Sequence, residues 1–161
     1  MAIDMFLKLD GITGESADHK HKGSIHIESF SWGMSQTGAH GSGGGGGAGK
    51  VHVHDIHVTK HLDKASPALM LHCCNGKHIG SGLITVRKAG EKPVEYLKIK
   101  LTDILISGVQ EAGHGGGGDL LSENVTLNFG KFHVEYLEQD EKGAGKPGGE
   151  MGWDVKKNEK A

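Results

Sequence analysis

The sequence predicts a mainly β fold: a bent-strand β-barrel of two packed antiparallel sheets with one short α-helix, at about residues 63–75. The first observation behind this is a repeated slip in apolar alternation. Ile25 and Ile27 give way to Phe30 and Trp32, and Val51 and Val53 to Ile56 and Val58. Leu97, Ile99 and Leu101 hand over to Ile104 and Ile106, and Leu127 and Phe129 to Phe132, Val134 and Tyr136. A strand shows each face every second residue, so a one-residue slip moves the apolar set outward unless the strand bulges or bends there. Strands that bend in mid-length turn the corners of barrels and orthogonal sandwiches. The second observation is that a single stretch has convincing helix signals. The third is length: 161 residues bury roughly two-thirds of their unfolded surface, enough for one core, so 1–161 reads as a single domain.

Each element follows in order. Ile3, Met5, Leu7 and Leu9 alternate as a first strand, which stops at Asp10-Gly11 before Ile12 in a weaker slip. A polar loop from Gly14 to Gly23 leads to a strand from Ser24 to about Ser35. The glycine-rich stretch 38–49, containing Gly43, Gly44, Gly45, Gly46 and Gly47, resists fixed secondary structure in isolation and reads as an extended loop. Strands follow at about 50–59, 81–88, 94–107 and 122–138, with slips near Ser29, Asp55, Asp103 and Gly130. Ser66-Pro67 suits a helix start and Asn75-Gly76 a stop, with Leu69, Met70 and Cys73 as one buried stripe. Asp63 offers an earlier cap. A second glycine tract, Gly113 to Gly118, joins two strands, and the C-terminal segment 143–161 reads as loose until Trp153 and Val155 offer something to pack.

Composition excludes several functions. A formal net charge of −2 without a basic run argues against nucleic acid as a partner. Cys73 and Cys74 are adjacent and very poorly placed to pair with each other. The start Met1-Ala-Ile-Asp-Met is no signal peptide, and no stretch of about 18 apolar residues exists for a membrane span. Gly44-x4-Gly49-Lys50 superficially fits a phosphate-binding loop, but Val51 stands where Ser or Thr should bind magnesium. The following residues also alternate as a strand, whereas such a loop needs a helix N-terminus.

Twelve histidines invite a metal reading, with His52, His54 and His57 able to converge, but no HExxH helix or Cys-His zinc spacing accompanies them. No metal or cofactor site is expected. No catalytic residue is named either. The cysteines sit near a helix end rather than its N-terminus, and no nucleophile elbow appears.

Several segments are recognisable together: Gly14-Glu-Ser16, Ser31-Trp-Gly-Met-Ser-Gln36 before the glycine-rich loop, Asp63-Lys64 with Ser66-Pro67, and Asn75-Gly-Lys77. Glu95-Tyr-Leu97, Glu123-Asn-Val-Thr-Leu127 and Gly152-Trp-Asp complete the set. Their order and spacing resemble the hemolysin-coregulated protein (Hcp) family of bacterial type VI secretion systems, from Met1 to near the C-terminus. The resemblance implies a structural tube subunit and no enzyme. Homohexameric rings would stack into an inner tube, with spike, contractile sheath and baseplate as partners and effector proteins in the lumen. The protein would be made in the bacterial cytoplasm and secreted without a signal peptide.

Two site expectations follow. Phe30 and Trp32 read as packed, so Ser29 and Ser31 point the other way, and Ser31 is expected to line the lumen and touch cargo. Gly43 to Gly47 are expected at ring stacking or inter-subunit contacts, because glycine permits close backbone approach. The histidine-rich stretch 52–61 is no part of the resemblance. From the residues alone, a monomeric β-barrel module binding metal or carbohydrate is the alternative.

Overall fold

The computed structural model describes residues 2–38, 49–116, 118, 120–140 and 142–161. In chain order the elements are β1 (Ile3–Leu9), β2 (Ile25–Ile27), β3 (Ser29–Ser31), β4 (Met34–Ser35), β5 (His52–Val53), β6 (Ile56–His61) and α1 (Ser66–Asn75). They continue with β7 (Ile79–Lys88), β8 (Val94–Ala112), β9 (Ser122–Gln139), β10 (Gly145–Asp154) and β11 (Glu159–Lys160). All strand pairs are antiparallel, and the main sheet runs β11-β10-β9-β8-β7-β1-β2. β4 and β5 form a separate two-stranded hairpin.

The long strands change partners along their length. β9 pairs with β8 from Ser122 to Tyr136, but its other edge takes β6 over residues 122–127 and β10 over residues 131–139. The slip at Asp103 and Gly130 separates the two halves: Thr102 faces Lys131 and Ile104 faces Phe129, leaving those two residues out of register. Asp103 has φ 55, a left-handed backbone that its short polar side chain tolerates. Glu28 divides β2 from β3 in the same way. β2 lies on β1, and β3 continues onto β6. The hydrogen-bonded ladder therefore does not close by itself; the chain rounds the gap at Glu28, whose N–H donates to the Thr59 carbonyl at 2.7 Å. A third break at Asp55 separates β5 from β6.

Because each slip coincides with a bend, both parities enter one core. Ile25, Ile27, Ile56, Val58, Ile99, Leu101, Ile104, Ile106, Leu127, Phe129 and Phe132 are all buried, and Phe30, Trp32 and Val134 pack against them. Tyr136 departs from the expectation, 47% exposed at the outer end of β9, beyond the reach of the core. Gly82 allows β7 to close on its neighbours: a Cβ there would meet Ile104 Cδ1 at 2.7 Å and Leu9 Cδ2 at 2.9 Å.

Three expectations are corrected. The segment 143–161 is not loose between 145 and 154: β10 pairs with β9 along that length, and Trp153 packs on the core. The glycines and Pro147 hide the strand from alternation, with a register shift between Pro147 and Gly149. The strand expected at 94–107 runs on to Ala112, because β8 resumes pairing with β9 beyond a bulge at Ser107. The helix begins at Ser66 rather than Asp63, and Ser66 does not cap it; its buried hydroxyl instead serves a polar cluster described below. Gly76, in the left-handed conformation, donates its N–H to the His72 carbonyl and closes the helix as expected.

Candidate functional site

The corner at Asp103 and Gly130 gives the molecule two outward walls of different chemistry. Beyond the corner, β3, β6, the first half of β9 and the second half of β8 form one wall. Its rungs read Ser29–Thr59–Asn124–Gln110 and Ser31–His57–Thr126–Gly108, without a lysine, arginine or carboxylate. Ser31 is exposed at the end of β3, and Phe30 turns inward as the sequence predicts. Thr59 Oγ1 donates to Asn124 Oδ1 at 2.8 Å. At the margins, Asp55 accepts from Ser107 Oγ and Asn128 Nδ2, both at 2.8 Å, and Glu28 stands 3.0 Å from His61. Hydroxyl and amide groups both donate and accept, so this wall can meet varied polar surfaces without selecting one sign of charge.

The backbone of Ser31 is firmly backed. Trp32 donates its indole N–H to the His54 carbonyl at 3.0 Å and meets Phe132 and Phe129 edge to face, at 4.8 and 5.9 Å between centroids. Behind the far end of the wall lies a feature the sequence reading missed. Lys60 and Glu123 are both wholly buried, with Lys60 Nζ 2.5 Å from Glu123 Oε1, 2.9 Å from Asp63 Oδ1 and 3.2 Å from Ser66 Oγ. Ser66 donates to Glu123 Oε1 at 3.0 Å. Across the ladder Glu111 faces Glu123. Desolvation, then the Glu123 carboxylate, push the Glu111 carboxyl up to about 7. Burial raises Glu123 as well, but the Glu111 proton and the Lys60 ammonium outweigh it and hold that carboxyl low. A signal was present. Lys60 falls on the buried parity of Ile56 and Val58, and Glu123 on that of Val125 and Leu127.

The other wall, built by β1, β7, the first half of β8 and the second half of β9, is charged and mostly paired. Arg87, 8% exposed, bonds Asp4 and Asp18 and stands 4.9 Å from the centroid of the Phe6 ring. His21 stacks on the same ring at 4.4 Å and reaches Glu95 Oε1 at 2.6 Å, which pins the loop after Gly14 to the sheet. The Arg87 guanidinium holds the Asp18 carboxyl well below the usual carboxylate range.

Gly43 to Gly47 lie outside the described residues. Near the ends of that stretch, Met34, Val51, Val53, Phe132, Met151 and Trp153 line an apolar hollow of about 430 Å³. His52 and His54 meet edge to face at 4.9 Å between centroids, whereas His57 stands beside Ser31 on the neutral wall. Among the described residues no three His, Cys, Asp or Glu side chains are grouped to hold a metal.

Comparison with known proteins places this arrangement. Residues 6–136 match the family described as "Type VI secretion system effector, Hcp". Protein hcp1 of Pseudomonas aeruginosa is 49% identical, with all of both chains covered. A solved type six secretion system protein superposes with a TM-score of 0.94 at 30% identity, over 99% of this chain and 100% of the other. Hcp1 of Salmonella typhimurium gives 0.79 at 35% identity with both chains fully covered. A type VI secretion system effector of Yersinia pestis gives 0.75 at 34%, over 94% of this chain and 100% of that one.

Proposed function

Since the chain belongs to the Hcp family of type VI secretion, whose members are secreted structural proteins and not enzymes, we propose that it is a tube subunit. Six copies close into a ring, and rings stack into an inner tube that a contractile sheath expels beneath a spike from a baseplate. The whole of 1–161 acts as one barrel domain, made in the bacterial cytoplasm and then secreted. No helix among the described residues is long and apolar enough to cross a membrane.

The observation that carries the reading is the uncharged wall around Ser31. A conduit for diverse cargo gains from a surface that hydrogen-bonds without charge selectivity, and rungs of Ser, Thr, Asn and Gln with His57 beside Ser31, free of lysine, arginine and carboxylate, have that character. Ser31 contacts effectors in the lumen, and Gly43 to Gly47 reach the adjoining ring or subunit. Light scattering on a sizing column, with reductant and chelator present, should give six times the 17.0 kDa chain mass. A monomer at micromolar concentration overturns the ring. Ser31→Gln should keep the ring and lower cargo co-purification; unchanged co-purification removes Ser31 from the lumen.

A further inference from the structure

The cations of the charged wall have an ion-pair or hydrogen-bond partner with three exceptions, Lys88 donating to Gln139 Oε1 at 2.8 Å. Lys98 lies 3.6 Å from Glu95, His133 3.1 Å from Glu150 and Lys146 3.8 Å from Glu138, and Arg87 is shared by two aspartates. Lys8, Lys100 and Lys131 are exposed and form no ion pair or hydrogen bond among the described residues, although Asp154 stands across the ladder from Lys131. They are also neighbours. Lys8, Leu83, Lys100 and His133 form one rung across β1, β7, β8 and β9, and Lys131 stands on the next, opposite Thr102. Strands lie about 4.8 Å apart, so Lys8 and Lys100 straddle Leu83 with backbones about 10 Å apart. Between them opens a hollow of about 300 Å³, lined by the two lysines, Ser81, Gly82, Leu83 and Asp10.

We propose that this hollow is a docking site for an acidic protein segment, which seats one apolar side chain on Leu83 and places carboxylates on Lys8, Lys100 and Lys131. The half-buried leucine between exposed ammonium groups supplies an anchor point and the charge sets the partner's sign. A nucleic acid fits less well. Asp10 edges the hollow, Glu135 and Glu150 stand close by on the same wall, and the chain as a whole carries −2. The site belongs to one protomer and lies on the wall opposite Ser31, so it stands or falls apart from the ring.

The test uses the assembled protein and a fluorescein-labelled 15-residue peptide of Glu and Asp with one central Phe, followed by anisotropy. The intact protein should bind, more weakly as salt is raised. The reversal Lys8→Glu, Lys100→Glu and Lys131→Glu together should weaken binding at least about tenfold, and the three Lys→Gln changes by less. Replacing the central Phe of the peptide with Ala should weaken it several-fold. Reversing the exposed loop lysines Lys64, Lys77 and Lys92 should leave affinity unaltered. Several results overturn the proposal: no binding by the intact protein, equal losses in the loop control, or tighter binding of a duplex DNA oligonucleotide. A changed scattering mass in the Lys8, Lys100 and Lys131 variant does so too, because the surface would then join copies of this chain.

Discussion

β8 and β9 run through both walls, and the corner at Asp103 and Gly130 divides each into halves with opposite outward chemistry. Before the corner β8 presents Lys98 and Lys100, and the facing half of β9 presents Lys131, His133 and Glu135. Beyond it the outward residues are Leu105, Gly108 and Gln110 on β8 and Asn124, Thr126 and Asn128 on β9. Inward, the halves match: Ile99, Leu101 and Phe132 on one side, Ile106, Leu127 and Phe129 on the other, all buried. The shared core fixes which parity is apolar, but it leaves the outward residues free. Those follow what each wall must meet. The neutral wall has its strongest ion pair, Lys60 with Glu123, concealed behind it and shows Glu28 with His61 only at its corner, whereas the charged wall displays several pairs to solvent.

That contrast is most severely tested at the concealed pair. Lys60→Ala strands a wholly buried Glu123 carboxylate and should cost about 3–5 kcal/mol in urea unfolding, while Lys60→Met with Glu123→Leu should recover much of it. A loss under about 1 kcal/mol for the single change would mean that the two walls treat charge alike. Next come the inward faces. Leu101→Ala and Phe129→Ala, on either side of the corner, should each cost about 2–5 kcal/mol, and a small loss at only one would separate the two cores.

The pH dependence sharpens the comparison further. Glu111, raised from an ordinary value near 4.5 to about 7, binds its proton more tightly in the folded protein than in the unfolded chain. Its stabilisation is therefore complete below about 4.5 and is lost as pH rises through about 7. Glu111→Gln should flatten the fall in urea midpoint across that window; an unaltered slope would detach Glu111 from the buried cluster. The smallest effect belongs to the displayed pairs. Lys146→Ala, which breaks an exposed contact with Glu138, should change stability by less than about 1 kcal/mol.

The bends were legible because burial writes itself into parity. Ile27 followed by Phe30, or Leu101 by Ile104, requires a corner once both residues are known to be apolar. The strand over 145–154 was not, since Gly145, Gly148, Gly149 and Pro147 carry no alternation and the pairing comes from β9. Helix α1 was placed correctly at its C-terminus by Asn75-Gly76, but its start was misread. Ser66 has the chemistry of a cap, and only the fold reveals that Lys60 and Glu123 claim its hydroxyl. At the site, the outward direction of Ser31 followed from Phe30. That its neighbours are neutral depends on which strands lie beside it, and β6 and β9 are far away in sequence.

The partner exchange along β9 also bears on how the molecule folds. β8 and β9 are separated by a short glycine-rich stretch of sequence and zip together from Ala112–Ser122 to Leu97–Tyr136, so closing that ribbon costs little chain entropy. β6 must instead find β9 across more than sixty residues, and β2 and β3 must bridge β1 and β6 last. The ribbon is thus the natural nucleus, with slow docking of the segments on either side. The neutral wall is finished only when β3 arrives, so a partly folded chain already displays Lys100 and Lys131 before Ser31 has a surface to belong to.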